Sequence, residues 1–321
     1  MADPIKIGIW GGSGSGKTTF LSALRIAILK YATNTRTQWN INGLDEISPR
    51  SSIFLEENTR KLQNLIFPAA TIDAVAATYT YEINGSFPSN SLGEKVRNWF
   101  SRTSDIQFIL DVFDYPGGHL LTRDANDPLW EYLAGCHGLI YLFDPKSNNV
   151  GTSNFDCLQR SLDMMRRVFE RISPNSIVKG RLPQHLAFCI TKYDDDEIFR
   201  QLRDQDLIDL DGSDASHPPF VRYPSRAFEY LADDLTVQTV KAYFHPNHTE
   251  FFGTTNVGFY VDKKTGKVDI DRCSNIKVEK EVYDVNGEKK ERELITIKSK
   301  VNPIGVFEPV RWLHEKLSVR R

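Results

Sequence analysis

Nine residues near the start of the chain, GGSGSGKTT over Gly11–Thr19, offer little side-chain bulk and one long cation. Gly11, Gly16, Lys17 and Thr18 satisfy the spacing G-x-x-x-x-G-K-[ST]. That spacing makes a phosphate cradle. Without side chains at Gly11, Gly12, Gly14 and Gly16, and with only small ones at Ser13 and Ser15, successive backbone N–H groups turn inward around an anion. A helix starting at Lys17 adds the partial positive charge of its N-terminus. Lys17 then reaches the β- and γ-phosphates. The Thr18 hydroxyl ligates Mg²⁺, and Thr19 is expected among the nucleotide-binding residues. The competing reading is a flexible Gly/Ser turn beside a chance lysine. The flanks argue against it: Ile5, Ile7 and Ile9 alternate as in a strand, and Phe20, Leu21, Leu24, Ala27 and Ile28 recur at helical spacing.

Two further stretches carry chemistry, and both end apolar strands. In DIQFILDVFDYPGGH, the run Ile106–Phe113 stops at Asp114-Tyr115-Pro116-Gly117, a D-x-x-G pattern. A carboxylate at Asp114 is placed to hold the shell of a Mg²⁺ ion. A glycine three residues later offers its backbone N–H to a γ-phosphate. Alone, the pattern is weak and equally describes a turn after a strand. In HLAFCITKYDDD, Leu186–Ile190 runs into Thr191-Lys192-Tyr193-Asp194, which matches [NT]-K-x-D. A carboxylate at Asp194 accepts two hydrogen bonds from guanine N1–H and N2–H₂. Adenine lacks that donor pair and leaves the carboxylate unpaired. The aliphatic stem of Lys192 can cover a base plane. Here the bland reading is an acidic loop, since Asp194–Glu197 is a charge run.

With GGSGSGKT, DYPG and TKYD in this order, the chain resembles a Ras-like P-loop GTPase of the translation-factor-related class. The resemblance implies GTP/GDP and Mg²⁺ as ligands. It also implies an α/β fold of three layers, a mostly parallel sheet with helices on both faces. Thr71 is then the expected switch-I threonine over the metal, with Thr59 the poorer choice. Gly253, Thr254 and Thr255 of TEFFGTTNVG are the expected backbone contacts to guanine O6. Thr191 stands where asparagine is commoner and is expected to bond the P-loop backbone. The residue after the D-x-x-G glycine is Gly118, with no side chain to position water, and His119 follows it. His119 either reaches the attacking water or is a loop histidine. Arg123 reads as a solvated arginine before it reads as an internal arginine finger. The DYPGG variant and the long insertions resemble those of uncharacterised bacterial GTPases of conflict or regulatory systems.

The elements that must position these residues follow from periodicity. Strands are expected near 5–10, 74–83, 106–113, 138–143, 186–190 and 249–253, with helices near 17–31, 155–172, 226–243 and 308–317. The expected organisation is one G domain over 1–321 with insertions at 32–68, 84–104, 203–225 and 257–303. The first should hold a helix with Leu55, Leu62, Leu65 and Ile66 on one side. The third reads as an exposed loop. The last reads as two hairpins, turning at Thr265-Gly266 and Asn286-Gly287. These insertions suggest docking of a protein partner or of a second copy.

Composition narrows the classes. Forty basic and 42 acidic residues in 321 leave a net charge of −2, which does not favour bulk binding to nucleic acid or to anionic membrane. Cys136, Cys157, Cys189 and Cys273 are too scattered for a metal cluster and read as reduced thiols of a cytoplasmic chain. His245 and His248 lack a third ligand nearby, so zinc is not expected. No signal-peptide pattern and no apolar run of membrane-spanning length is seen. The leading expectation is a GTP-hydrolysing switch. The rivals are a nucleotide-loaded scaffold with negligible turnover, supported by Gly118, and an ATPase.

Overall fold

A computed structural model describes residues 5–35, 37–68, 77–85, 106–114, 127–147, 154–285 and 288–318. Its centre is a seven-stranded sheet. β1 (Lys6–Gly11), β4 (Ile106–Asp114), β5 (Gly138–Phe143), β6 (His185–Ile190) and β9 (Thr249–Gly253) run parallel; β3 (Ala77–Gly85) runs against β4, and β2 (Trp39–Gly43) against β3. The order across the sheet is β2-β3-β4-β1-β5-β6-β9.

The central strands are apolar almost throughout because both faces are covered. The period of two sorts their residues. Leu139, Tyr141 and Phe143 of β5 and Leu186, Phe188 and Ile190 of β6 enter one core. Ile140, Leu142, Ala187 and Cys189 enter the other, with Ile5, Ile7 and Ile9. The first core lies under α3 (Pro128–Gly135), α4 (Asn154–Ile172), α5 (Asp196–Asp204), α6 (Pro224–Leu231) and α7 (Asp234–Tyr243). The second lies under α1 (Lys17–Thr35), α2 (Ser51–Gln63) and α8 (Glu308–Ser318). Setting β2 aside, this is the strand order and layering of the Ras-like P-loop fold. All four cysteines are buried thiols.

Several expectations change in detail. The helix expected over 226–243 is two helices: Asp233 is extended and its carboxylate accepts from Thr236 N–H, which starts α7 afresh. α2 ends at Gln63, and Leu65 has φ 63°, so Ile66 turns away and is 55% exposed. Thr59 is buried in α2 and donates to the Ser22 carbonyl, which removes it from any switch role. Region 203–225 is not only loop: β7 (Ile208–Asp209) pairs with β8 (Phe220–Val221).

The second expected hairpin is present, β10 (Ile276–Val285) against β11 (Glu288–Ile297) across Asn286-Gly287. The first is not. Around Thr265-Gly266 there are isolated bridges, Val261 to Val268 and Phe259 to Ser274. The Asp262 carboxylate accepts from the N–H groups of Lys264 and Thr265 and spends the turn's donors locally. Val257, Phe259 and Cys273 are buried in the two cores. Among the described residues no helix is long and apolar enough to cross a membrane.

Candidate functional site

The loop from Gly11 to Gly16 joins the end of β1 to the first turn of α1. Gly14 and Gly16 hold φ of 72° and 86°, in the left-handed region that glycine alone enters at no cost. Ser15 N–H donates to the Gly12 carbonyl, and Phe20 N–H to that of Gly16. Lys17 is buried, and its ammonium donates to the Gly11 and Gly12 carbonyls, each at 3.1 Å. The lysine is thereby folded back along the loop. The first turn of α1 contains no acidic residue, so its N-terminal potential is not cancelled from within. Thr18 lies in that turn, and its carbonyl accepts from the Ser22 hydroxyl. The Ser15 hydroxyl is buried without a hydrogen-bond partner in this loop.

The neighbouring strand brings the D-x-x-G stretch alongside. Ile9 pairs with Val112; two residues further on, β1 ends at Gly11 and β4 at Asp114. The backbone of Asp114 therefore arrives beside the start of the loop, while its side chain lies outside the described residues. Thr71, Gly117, Gly118, His119 and Arg123 also lie outside them. The oxygen donors expected for Mg²⁺ are of the hard type that ion takes. Thr18, the member described in full, stands at the helix N-terminus where phosphate oxygens and the ion would meet. Among the described residues no group of three or more His, Cys, Asp or Glu side chains could hold a metal ion.

The Thr191-Lys192-Tyr193-Asp194 stretch follows β6, two strands from β1 in the sheet. Thr191 departs from expectation. Both its N–H and its hydroxyl donate to the Phe143 carbonyl, at 2.8 and 2.9 Å, so it ties down the end of β5 rather than the P-loop. Lys192 has φ 57°, and its ammonium lies 2.6 Å from the Asp144 carboxylate. Asp144 is 4% exposed and also accepts from Lys146 N–H. Lys146 in turn donates to Asp195 at 2.8 Å, and Asp195 caps α5. Two crossed ion pairs thus lock the loop after β5 to the loop after β6.

Asp194 is 3% exposed. Burial pushes its carboxyl up to about 7, against a hydrogen bond from the Thr255 hydroxyl that favours the charged form. That hydroxyl also accepts from Gly258 N–H. The expected backbone donors of the last loop are already engaged. Thr254 N–H donates to the Ile190 carbonyl and Thr255 N–H to that of Ile304. Gly253 closes β9, and a methyl there would sit 2.3 Å from Val221. Thr255 therefore meets the site through its hydroxyl, beside Asp194. The residue the sequence reading passed over is Asn256: its amide nitrogen is 3.5 Å from the Gly16 carbonyl, and its buried Oδ1 has no hydrogen-bond partner. It joins the base-side loop to the phosphate loop. Asp144 was also passed over. A D-P-K after an apolar strand carries no signal of its own until β5 and β6 are seen side by side.

No protein-family model and no curated protein matches the chain. Solved structures do resemble it. One is the Arl6 BBS3 small GTPase from Trypanosoma brucei with bound GppNp, 12% identical, covering 99% of each chain with a TM-score of 0.36. Another is the signal recognition particle receptor SRb-GTP/SRX complex from Chaetomium thermophilum, 13% identical over 80% of this chain and 93% of that one, TM-score 0.35. A third is the S. cerevisiae Ski7 GTPase-like domain bound to GTP, 13% identical, TM-score 0.29, covering 82% of this chain and 45% of that one. Strand order and local geometry, rather than these distant likenesses, carry the assignment of the fold.

Proposed function

We propose that this chain is a guanine-nucleotide switch that binds GTP with Mg²⁺ and hydrolyses it to GDP and phosphate. One observation carries the reading. A buried carboxylate, Asp194, stands at the same end of one sheet as a glycine-shaped phosphate loop, and Asn256 spans the two. Asp194 supplies the acceptor pair that guanine satisfies and adenine does not. The ion pair with Asp144 holds the Lys192 stem for the base plane. Lys17 and the N–H groups of Gly12–Thr18 take the phosphates. Mg²⁺, when bound, neutralises charge on the phosphate oxygens, with Thr18, Asp114 and Thr71 as its proposed holders. Gly117 is the proposed sensor of the γ-phosphate, and His119 the proposed side chain for the attacking water.

In this reading the chain forms one G domain carrying its insertions, works in the cytoplasm, and signals to a protein partner through the segments around Thr71 and Gly117. The insertions and the DYPGG variant also support a place among bacterial conflict or regulatory GTPases. A second reading is favoured by Gly118: nucleotide held as a structural ligand with negligible turnover. Single-turnover GTP hydrolysis with Mg²⁺ over a wide range of protein concentration separates them, with Lys17→Ala as the blank. A rate above the blank supports the switch. One that climbs with concentration means that self-association completes the site. Bound GTP with no rate above the blank supports the second reading.

A further inference from the structure

The parallel strands carry the phosphate loop at one end. At the other end lies a separate cavity of about 760 Å³. It sits where β6 begins at His185, beside the short 3-10 turn Pro246–His248 that leads into β9, the loop after α4, and the last turn of α8. β6 and β9 run from this cavity to the nucleotide end, so the two sites are roughly 20 Å apart along the sheet.

Its walls are cationic. Lys179, Arg181 and Lys316 line it with His185, His245 and His248, and no Asp or Glu is among its described lining residues. The three fixed cations come from two elements distant in sequence, and none of them makes an ion pair among the described residues. The nearest acid on α8, Glu315, faces Arg311 at 3.5 Å instead. His185 is buried as the floor, with His248 stacked on it at 4.3 Å between ring centroids. His245 Nδ1 accepts from Asn247 N–H, which leaves Nε2–H of the neutral ring as a donor. Lys179 and Gly180 have φ of 53° and 76° in a two-residue turn closed by the Val178–Arg181 bridge. Asn, Asp or Gly is the ordinary occupant of the first of those positions, and here it is a lysine that lines the cavity.

We propose that this cavity is a second ligand site, which takes a small phosphorylated molecule. Three cations without ion pairs among the described residues, together with the His245 donor, exceed what a single carboxylate can satisfy. They suit a phosphate monoester or diphosphate, whose oxygens match the fork of Arg181 and the point charges of Lys179 and Lys316. The volume holds more than the phosphoryl group, so the ligand has a body as well as a charged head. The concave shape selects a small soluble molecule over a flat macromolecular surface. The inference does not rest on the nucleotide reading of the other end.

The test is equilibrium dialysis of the full chain with radiolabelled inorganic pyrophosphate, made in the Lys17→Ala background to weaken the phosphate loop. The expected result is one pyrophosphate per chain with a Kd below about 1 mM. Adding Lys179→Ala with Arg181→Ala weakens it at least about tenfold, and Lys316→Ala on a separate helix weakens it independently. All three side chains are solvent-facing or half-exposed, so unchanged thermal unfolding is expected and checks that the variants fold. Absence of binding at several times that concentration overturns the proposal. So does binding that both sets of substitutions leave unchanged.

Discussion

The Lys192 ammonium and the Asp144 carboxylate meet at 2.6 Å, joining the loop after β6 to the loop after β5. Asp144 is buried and Lys192 is 40% exposed at its side chain. In the proposed function the pair acts less as a source of stability than as a clamp on the side chain that covers the base. Asp144→Ala is expected to cost about 1–2 kcal/mol of stability, since one partner still reaches water. It should weaken GDP binding about tenfold. Chemical denaturation and GDP titration of the same variant check both numbers. Full affinity for GDP in a folded Asp144→Ala chain would show that Lys192 needs no clamp.

Asp194 gives the apo chain a pH dependence of definite sign. Burial raises its carboxyl from the ordinary 3.8 to about 7. The native state therefore holds a proton that the unfolded chain releases between those values. Stability from this group is full below the lower value and is lost as pH rises through about 7. The nucleotide-free chain should unfold more easily at pH 8 than at pH 5.5 on this account, and Asp194→Asn should flatten the difference. In the proposed function guanine binding reverses the sign, because its two donors favour the carboxylate. GDP affinity should rise from pH 6 to pH 8, by up to about tenfold per unit below the carboxyl's value. Calorimetry in two buffers of different ionisation heat should record proton release on binding.

Asn275 ties the hairpin to the base-side loop. It is fully buried; its amide donates to the Val257 carbonyl, and its Oδ1 accepts from both the N–H and the hydroxyl of Ser299. Four residues after Ser299 the chain reaches Pro303, and Ile304 then receives the Thr255 N–H. Gly305 follows with φ 68°, where a methyl would sit 2.0 Å from the Gly253 carbonyl. Asn275→Ala is expected to destabilise by about 2–3 kcal/mol, because it leaves several buried groups unpaired. It should also raise the GDP off-rate, read by release of a fluorescent analogue. An unchanged off-rate would mean that the hairpin and the loop after β9 are independent.

Lys17→Ala tests the phosphate loop alone. Lys17 is buried against the Gly11 and Gly12 carbonyls, so the chain should stay folded while GTP affinity falls about a hundredfold or more. Fluorescent-nucleotide titration and far-UV circular dichroism on one sample decide it.

Much of the frame is legible in the sequence, and the reasons are physical. β5 and β6 stand where their apolar runs place them, since burial on both faces leaves an uninterrupted signal. Asn286-Gly287 marks its hairpin because that dipeptide suits a tight turn. Less legible are features fixed by neighbours distant in sequence. β2 is five residues, WNING, with two asparagines and a glycine; it pairs with β3 and its Trp39 ring lies 5.1 Å from that of Phe307. Thr191 is expected at the P-loop, but its N–H and hydroxyl both donate to the Phe143 carbonyl. Thr254 and Thr255 spend their N–H groups on Ile190 and Ile304, and only the paired segments show it. At the site, motif spacing locates Lys17 and Asp194. The groups that fix their neighbours, Asp144 paired with Lys192 and Asn256 beside the Gly16 carbonyl, become visible only when the sheet brings their loops together.

The most direct test of the central claim is competition of GDP and ADP for the full chain with Mg²⁺ at pH 8, where Asp194 is ionised. If the buried carboxylate reads the base, GDP binds at least about a hundredfold more tightly than ADP, and Asp194→Asn removes most of that ratio. Comparable affinities for the two nucleotides in the unmodified chain would contradict the assignment of this site to guanine.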